Sequence, residues 1–250
     1  MQSQILFHGR PCVFTHHTPL PAQEMLGQRF ATLFLSLKNP DFTPKLVTWF
    51  IDMGKQVFTQ AMICVVDTPY RFNLLADAGG IEDDTVIAQQ KHLDQLALER
   101  RRMIQRCLNR ADWPDVHLVP WSVLDRMPPR WMRAEVQAAF AAQGTFYTLV
   151  LDQIRAIRRV PNDSRSQERY AQFLLAEIPV LLLTYYGSTG VVDVYPGPNF
   201  GLYTTLEEGL LTHELPQISA FVQAGSPLIS VEVLPLAETL NCGGSRTHRQ

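Results

Sequence analysis

Glu177 stands at the head of an apolar run, Ile178-Pro179-Val180-Leu181-Leu182-Leu183. A carboxylate in such company is almost never fully buried unless it is paired. Residues 166–183 are rich in good helix formers and read as a helix. On it Tyr170, Phe173 and Glu177 fall at i, i+3 and i+7 and share one face. A phenol, a phenyl ring and a carboxyl group facing one way look like a site; the alternative is a Glu at a helix end with its head in water. Ser36 closes the apolar run 31–36. There it is a nucleophile if its surroundings activate it, or else a cap or turn former. Asn39-Pro40 then turns the chain into the next helix.

The elements that must hold these residues alternate along the chain. Strand-length apolar runs occupy 31–36, 61–67, 116–121, 191–196 and part of 228–236. Amphipathic stretches occupy 44–58, 85–110, 130–143, 145–159 and 166–183. Continuous apolar strands separated by helices predict an α/β fold, a parallel sheet covered by helices on both faces. Ligands of such sheets sit beyond the carboxyl ends of the strands. Ser36, Asp67 and Tyr195 with Pro196 end three of them, and Pro196 suits a strand terminus because it has no N–H for the ladder.

Composition narrows the classes. The chain has 250 residues, 46% hydrophobic, with a net charge of −2. That suits one large core and gives no global basic character, so a nucleic-acid partner would need a local patch. We expect a single catalytic domain over 1–242 and a disordered tail over 243–250. Cys12, Cys64, Cys107 and Cys242 are widely spaced without C-x-x-C, which argues against a disulfide framework or a structural zinc site and fits a reducing compartment. No apolar stretch reaches membrane-spanning length, and no signal-peptide pattern opens the chain; a cytoplasmic location is expected. His16, His17 and His213 read as surface or capping residues, not ligands, and no metal is expected.

The familiar signatures of ATP, dinucleotide and zinc chemistry, and the G-x-S-x-G elbow, are missing. The local patch does exist. Between 90 and 110 the chain carries Lys91, Arg100, Arg101, Arg102, Arg106 and Arg110 against Asp94 and Glu99. Lys91, Arg102, Arg106 and Arg110 can line one helix face. Such a face is either solvated or holds a phosphate backbone without reading sequence.

These stretches, in this order, resemble the cyclodipeptide synthases, which draw amino acids from two aminoacyl-tRNAs and close them into a diketopiperazine. Ser36-Leu37-Lys38-Asn39-Pro40-Asp41-Phe42 is similar to the family's serine motif. Val65-Val66-Asp67-Thr68 with Leu74-Leu75-Ala76-Asp77 looks like its second-strand segment. The arginine-rich helix looks like its tRNA-binding helix. Phe173 to Pro179 resembles its tyrosine-to-glutamate motif, and Val194-Tyr195-Pro196 its closing strand. The likeness spans about residues 28–240. It implies a Rossmann-like fold, similar to the catalytic domain of class I tyrosyl- and tryptophanyl-tRNA synthetases, without ATP or other cofactor. Tyr195-Pro196 resembles the subgroup with proline after this tyrosine, whereas Asn39 typifies the other subgroup. One departure stands out: the family usually has a tyrosine where this chain has Phe173, and that hydroxyl helps hold the substrate amino group. Tyr170, one turn earlier on the same face, is the candidate to replace it.

The resemblance implies roles. Ser36 is the nucleophile that becomes aminoacylated, Glu177 holds and deprotonates the substrate ammonium, and Tyr195 positions or relays a proton in ring closure. Phe34, Asn39, Cys64, Val66, Tyr170, Phe173 and Asp193 line the substrate pocket. Lys91, Arg100, Arg101, Arg102, Arg106 and Arg110 bind tRNA. A monomer working on two aminoacyl-tRNAs, away from any membrane, is expected. A buried carboxylate wants a donor: either Asp193 is hydrogen-bonded locally or reaches solvent, or, facing inward, it predicts a first amino acid with a hydrogen-bond donor or positive charge. A tRNA-binding relative without catalysis, and an unrelated Rossmann-type acyltransferase, are the alternatives.

Overall fold

The computed structural model describes residues 2–7, 10–15, 29–37, 42–79, 84–157, 163–187, 190–195, 201–226 and 228–233. Side chains are described for these except at 2–7, 10–15, 157, 164, 195 and 230–233. Asn39, Pro196, His16, His17 and the tail 243–250 lie outside the described residues.

Among the described residues, seven strands form one sheet. In chain order they are β1 (Gln2–Phe7), β2 (Arg10–Thr15), β3 (Phe30–Ser36), β4 (Gln60–Val66), β5 (Val116–Pro120), β6 (Val191–Tyr195) and β7 (Ile229–Val233). Their spatial order is β1-β2-β7-β6-β3-β4-β5. The strands from β7 to β5 are all parallel to their neighbours, as the alternating pattern predicts. The hairpin β1–β2 adds an antiparallel edge through β2–β7. The sequence pattern did not predict it, because Gln2-Ser3-Gln4 and Arg10-Pro11 break up the apolar runs.

The helices are α1 (Pro44–Val57), α2 (Tyr70–Asp77), α3 (Asp84–Ala111), α4 (Trp121–Leu124), α5 (Arg130–Ala141), α6 (Thr145–Ile157), α7 (Ser164–Tyr186), α8 (Leu202–Glu207) and α9 (Pro216–Ala224). Five match the amphipathic stretches. α2, α4, α8 and α9 are too short for periodicity to declare them. Helix α1 starts cleanly because the Thr43 side chain accepts the Leu46 N–H and Pro44 fills the first turn. It lies close over its neighbours at Gly54, where an added Cβ would stand 2.6 Å from the Trp113 ring. Among the described residues no helix is long and apolar enough to cross a membrane.

Two features of this layout position the site. From β3 the chain winds through α1 to β4 and through α2 and α3 to β5, then returns to lay β6 on the other side of β3. The order reverses between β3 and β6, and a crevice opens at such a switch point. Ser36 and Tyr195 are the last residues of those two strands. Helix α7 is then fixed by Asp163, whose carboxylate accepts the Ser166 N–H at 2.8 Å and whose pKa that bond lowers. The helix carries Pro179 in its interior, where a proline forfeits one intrahelical bond.

Candidate active site

Ser36 is half-buried at the end of β3, and its hydroxyl shares a 3.0 Å hydrogen bond with that of Tyr70. Tyr70 opens α2 after a tight turn. Its N–H donates to the Asp67 carbonyl at 3.1 Å, and the Arg71 N–H donates to that of Thr68 at 3.2 Å. One Asp67 carboxylate oxygen accepts the Thr68 N–H at 2.7 Å and the Thr68 hydroxyl at 3.1 Å. The other pairs with Arg101 at 2.6 Å. The turn that delivers Tyr70 is thereby tied to α3.

Helix α7 closes over this corner. The Phe173 ring meets the Tyr70 ring edge-on, with centroids 5.4 Å apart. Near the other end of α2, the Tyr170 hydroxyl donates to Asp77 at 2.5 Å. That bond gives Tyr170 a partner on α2. Its hydroxyl is committed to pinning α2 against α7, and the hydroxyl beside Ser36 comes from Tyr70. Glu177 follows Phe173 by one turn and is half-buried. Among the described residues no hydrogen bond or ion pair engages its carboxyl group, and burial pushes its pKa up to about 8.

The sheet provides the floor. Parallel register sets Thr32 beside Asp193, Phe34 beside Cys64 and Ser36 beside Val66, and alternate residues share a face. The charge of Glu177 raises the Cys64 thiol further, after burial and Asp67, while Arg101 lowers it; Cys64 and Glu177 therefore lie in one neighbourhood. Phe34 meets Trp121 and Tyr185 edge-on at 6.4 and 6.0 Å. Asp193 is only 4% exposed. It accepts from the Thr32 hydroxyl at 3.1 Å and from that of Tyr185. Burial raises its pKa to about 7 against the pull of those two bonds. The donor that an inward Asp193 demands is thus supplied by the chain itself, which removes the reason to expect it from the first amino acid. Tyr195 ends β6 one alternation beyond Asp193.

Helix α3 buries Val86, Leu93, Ala97 and Ile104 and turns cations outward, but not all six. Arg100 donates to the Phe42 carbonyl at 2.6 Å and Arg101 is held by Asp67. Lys91, Arg102, Arg106 and Arg110 are exposed, with no hydrogen bond or ion pair among the described residues. A cleft of about 380 Å³ lies beside Asp67 and Thr68, lined also by Arg71, Gln90, Lys91 and Asp94.

Sequence reasoning missed Tyr70, Thr32 and Tyr185. The signal for Tyr70 was its place just after the Asp67 strand end, and for Thr32 the period of two from Ser36. Tyr185 gave none, since its partner lies across the sheet. Among the described residues no cluster of three or more His, Cys, Asp or Glu is placed to hold a metal ion.

No protein-family model matches the chain, and no curated protein matches it. Solved structures do. A cyclodipeptide synthase from Fluoribacter dumoffii superimposes with a TM-score of 0.64 at 15% identity, covering 88% of this chain and 96% of that one. AlbC, a cyclodipeptide synthase from Streptomyces noursei, gives 0.55 at 20%, covering 84% and 96%. A Mycobacterium tuberculosis protein whose structure relates cyclodipeptide synthetases to type I tRNA synthetases gives 0.62 at 14%, covering 89% and 93%. The chain therefore has the Rossmann-like α/β fold that these synthases share.

Proposed function

We propose that this protein is a tRNA-dependent cyclodipeptide synthase. The observation that carries the reading is the Ser36 hydroxyl at the end of β3, hydrogen-bonded to Tyr70, with α7 laying Phe173 against that tyrosine and carrying, one turn on, a desolvated Glu177 that makes no hydrogen bond or ion pair among the described residues. An aminoacyl-tRNA ester is already activated, so the chemistry asks for a nucleophile and an amine-handling acid–base group. Ser36 Oγ attacks the ester carbonyl, the tRNA leaves, and an aminoacyl-enzyme forms. The amine of that aminoacyl group attacks the ester of the second aminoacyl-tRNA, giving a dipeptidyl-enzyme. The new terminal amine attacks the Ser36 ester, closes the ring and frees the serine. Tyr195 positions or relays a proton in this last step.

Glu177 suits the amine. The ammonium of the substrate is the partner that its carboxyl group lacks. An α-amino group titrates near 7.7–8.0, and burial pushes the Glu177 carboxyl group up toward that range, to about 8. Moving a proton between them costs little in either direction, which general acid–base catalysis requires.

Phe34, Cys64, Val66 and Phe173 form the pocket wall, and the family likeness implies a substrate-binding role for Asn39. Lys91, Arg102, Arg106 and Arg110 hold the tRNA backbone, while Arg100 and Arg101 fix α3 to the fold. The protein acts as a cytoplasmic monomer, and Tyr195-Pro196 assigns it to the subgroup with that pair. The test is mass spectrometry of medium from expressing cells. Diketopiperazines that vanish with Ser36→Ala are expected. Their absence from cells making the folded wild-type protein refutes the synthase reading, and salt-sensitive tRNA binding then identifies a non-catalytic relative.

A further inference from the structure

We infer that Tyr70 is a catalytic residue, a proton relay between Ser36 and the departing ribose oxygen during acylation; the inference rests on the synthase reading. Among the described side chains, the Tyr70 hydroxyl is the group that contacts the nucleophile, at 3.0 Å. The other candidates on α7 are otherwise engaged or lack the group. Tyr170 is bonded to Asp77. Phe173 has no hydroxyl, and its ring supports that of Tyr70 edge-on.

The position of Tyr70 is fixed from three sides. The Asp67–Thr68 turn holds its backbone, Arg101 ties that turn to α3, and Phe173 backs the ring. Tyr70 is only 8% exposed, so its orientation is set by packing, as a group acting in a transition state needs.

The step balances. A bond forms between Ser36 Oγ and the acyl carbon, and the bond from that carbon to the terminal ribose oxygen breaks. The Ser36 proton passes to the Tyr70 oxygen as the Tyr70 proton passes to the leaving ribose oxygen. Tyr70 ends neutral, as it began, and nothing is oxidised or reduced.

The experiment is single-turnover acylation with total aminoacyl-tRNA, read as adduct on the Ser36 peptide. Tyr70→Phe should slow adduct formation roughly 100-fold or more, with half-saturating aminoacyl-tRNA and the melting temperature little changed. Acylation at the wild-type rate overturns the relay alone. No adduct on the wild-type protein overturns the covalent reading and the relay with it. A second measurement needs no variant: wild-type acylation rates in mixtures of light and heavy water. Two protons in flight give a bowed dependence on deuterium fraction, and a straight or flat dependence overturns the relay.

Discussion

Replacing Glu177 with Gln should make this protein more stable while it destroys activity. The carboxyl group has an ordinary pKa of 4.5 and reaches about 8 in the fold. At 1.36 kcal/mol per pH unit, that gap corresponds to ~5 kcal/mol. Glu177 keeps some solvent contact, so roughly half of it, about 2–3 kcal/mol, is a fair expectation. The sign follows from proton binding. Below pH 4.5 the group is protonated in both the folded and unfolded chains and costs nothing. From pH 4.5 to 8 the unfolded chain releases its proton while the folded chain keeps it, so wild-type stability falls. Above pH 8 the loss is complete. Gln cannot ionise and keeps the shape, so the gap between variant and wild type should open across that window. For a chain of this size it amounts to roughly 4–12 °C in melting temperature at pH 8.5. Thermal melts at steps from pH 4.5 to 8.5 read it directly. A gap that does not change with pH, or a less stable Gln variant, refutes the claim that Glu177 sits desolvated without a partner.

The other expectations follow from particular contacts. Arg102→Ala with Arg106→Ala should weaken tRNA binding by about 1–3 kcal/mol in total, with a shallower salt dependence and an unchanged melting temperature; filter binding at several salt concentrations checks this. Tyr170→Phe removes the bond to Asp77 and should cost about 1.5–3 kcal/mol of stability in urea unfolding, with the acylation rate preserved. Asp193→Leu strands the hydroxyls of Thr32 and Tyr185 and should cost about 2–5 kcal/mol, while surviving product keeps its amino-acid identity; a shift toward apolar first residues would show that Asp193 does meet substrate.

The parallel core of the fold was legible in the sequence because β3, β4, β5 and β6 are apolar runs bounded by helices long enough to show their period. The β1–β2 hairpin was not, since Gln2-Ser3-Gln4 and Arg10-Pro11 break up its apolar runs. The site divides in the same way. Ser36 and Glu177 could be named because each is a chemical group out of keeping with its neighbours. Tyr70 could not, because nothing local distinguishes a tyrosine at a helix start; its meaning comes from a hydrogen bond to a residue 34 positions away. The bond that Tyr170 makes was hidden for a related reason. A shared helix face places side chains in one direction, but a partner on another element, here Asp77, decides what a hydroxyl does. Arg100 and Arg101 repeat the lesson, since their partners Phe42 and Asp67 are distant in sequence.

The costs in this fold are not spread evenly. Pro179 gives up a bond inside α7, and two residues before it Glu177 carries a carboxyl group with no partner among the described residues. Both are easily replaced in ways that stability alone would favour, with Ala at 179 and Gln or Leu at 177. Elsewhere on the same helix polar groups are satisfied: Tyr170 by Asp77, Tyr185 by Asp193 and Tyr186 by Glu207. A helix that pairs its tyrosines so consistently and, among the described residues, leaves this carboxyl group without a hydrogen bond or ion pair, one turn beyond the ring that backs Tyr70, suits the visiting ligand that the proposed function requires. That visitor must carry a positive charge able to share a proton near pH 8. An α-ammonium next to an ester within reach of Ser36 meets both conditions; a phosphate can share a proton in this range but carries no positive charge.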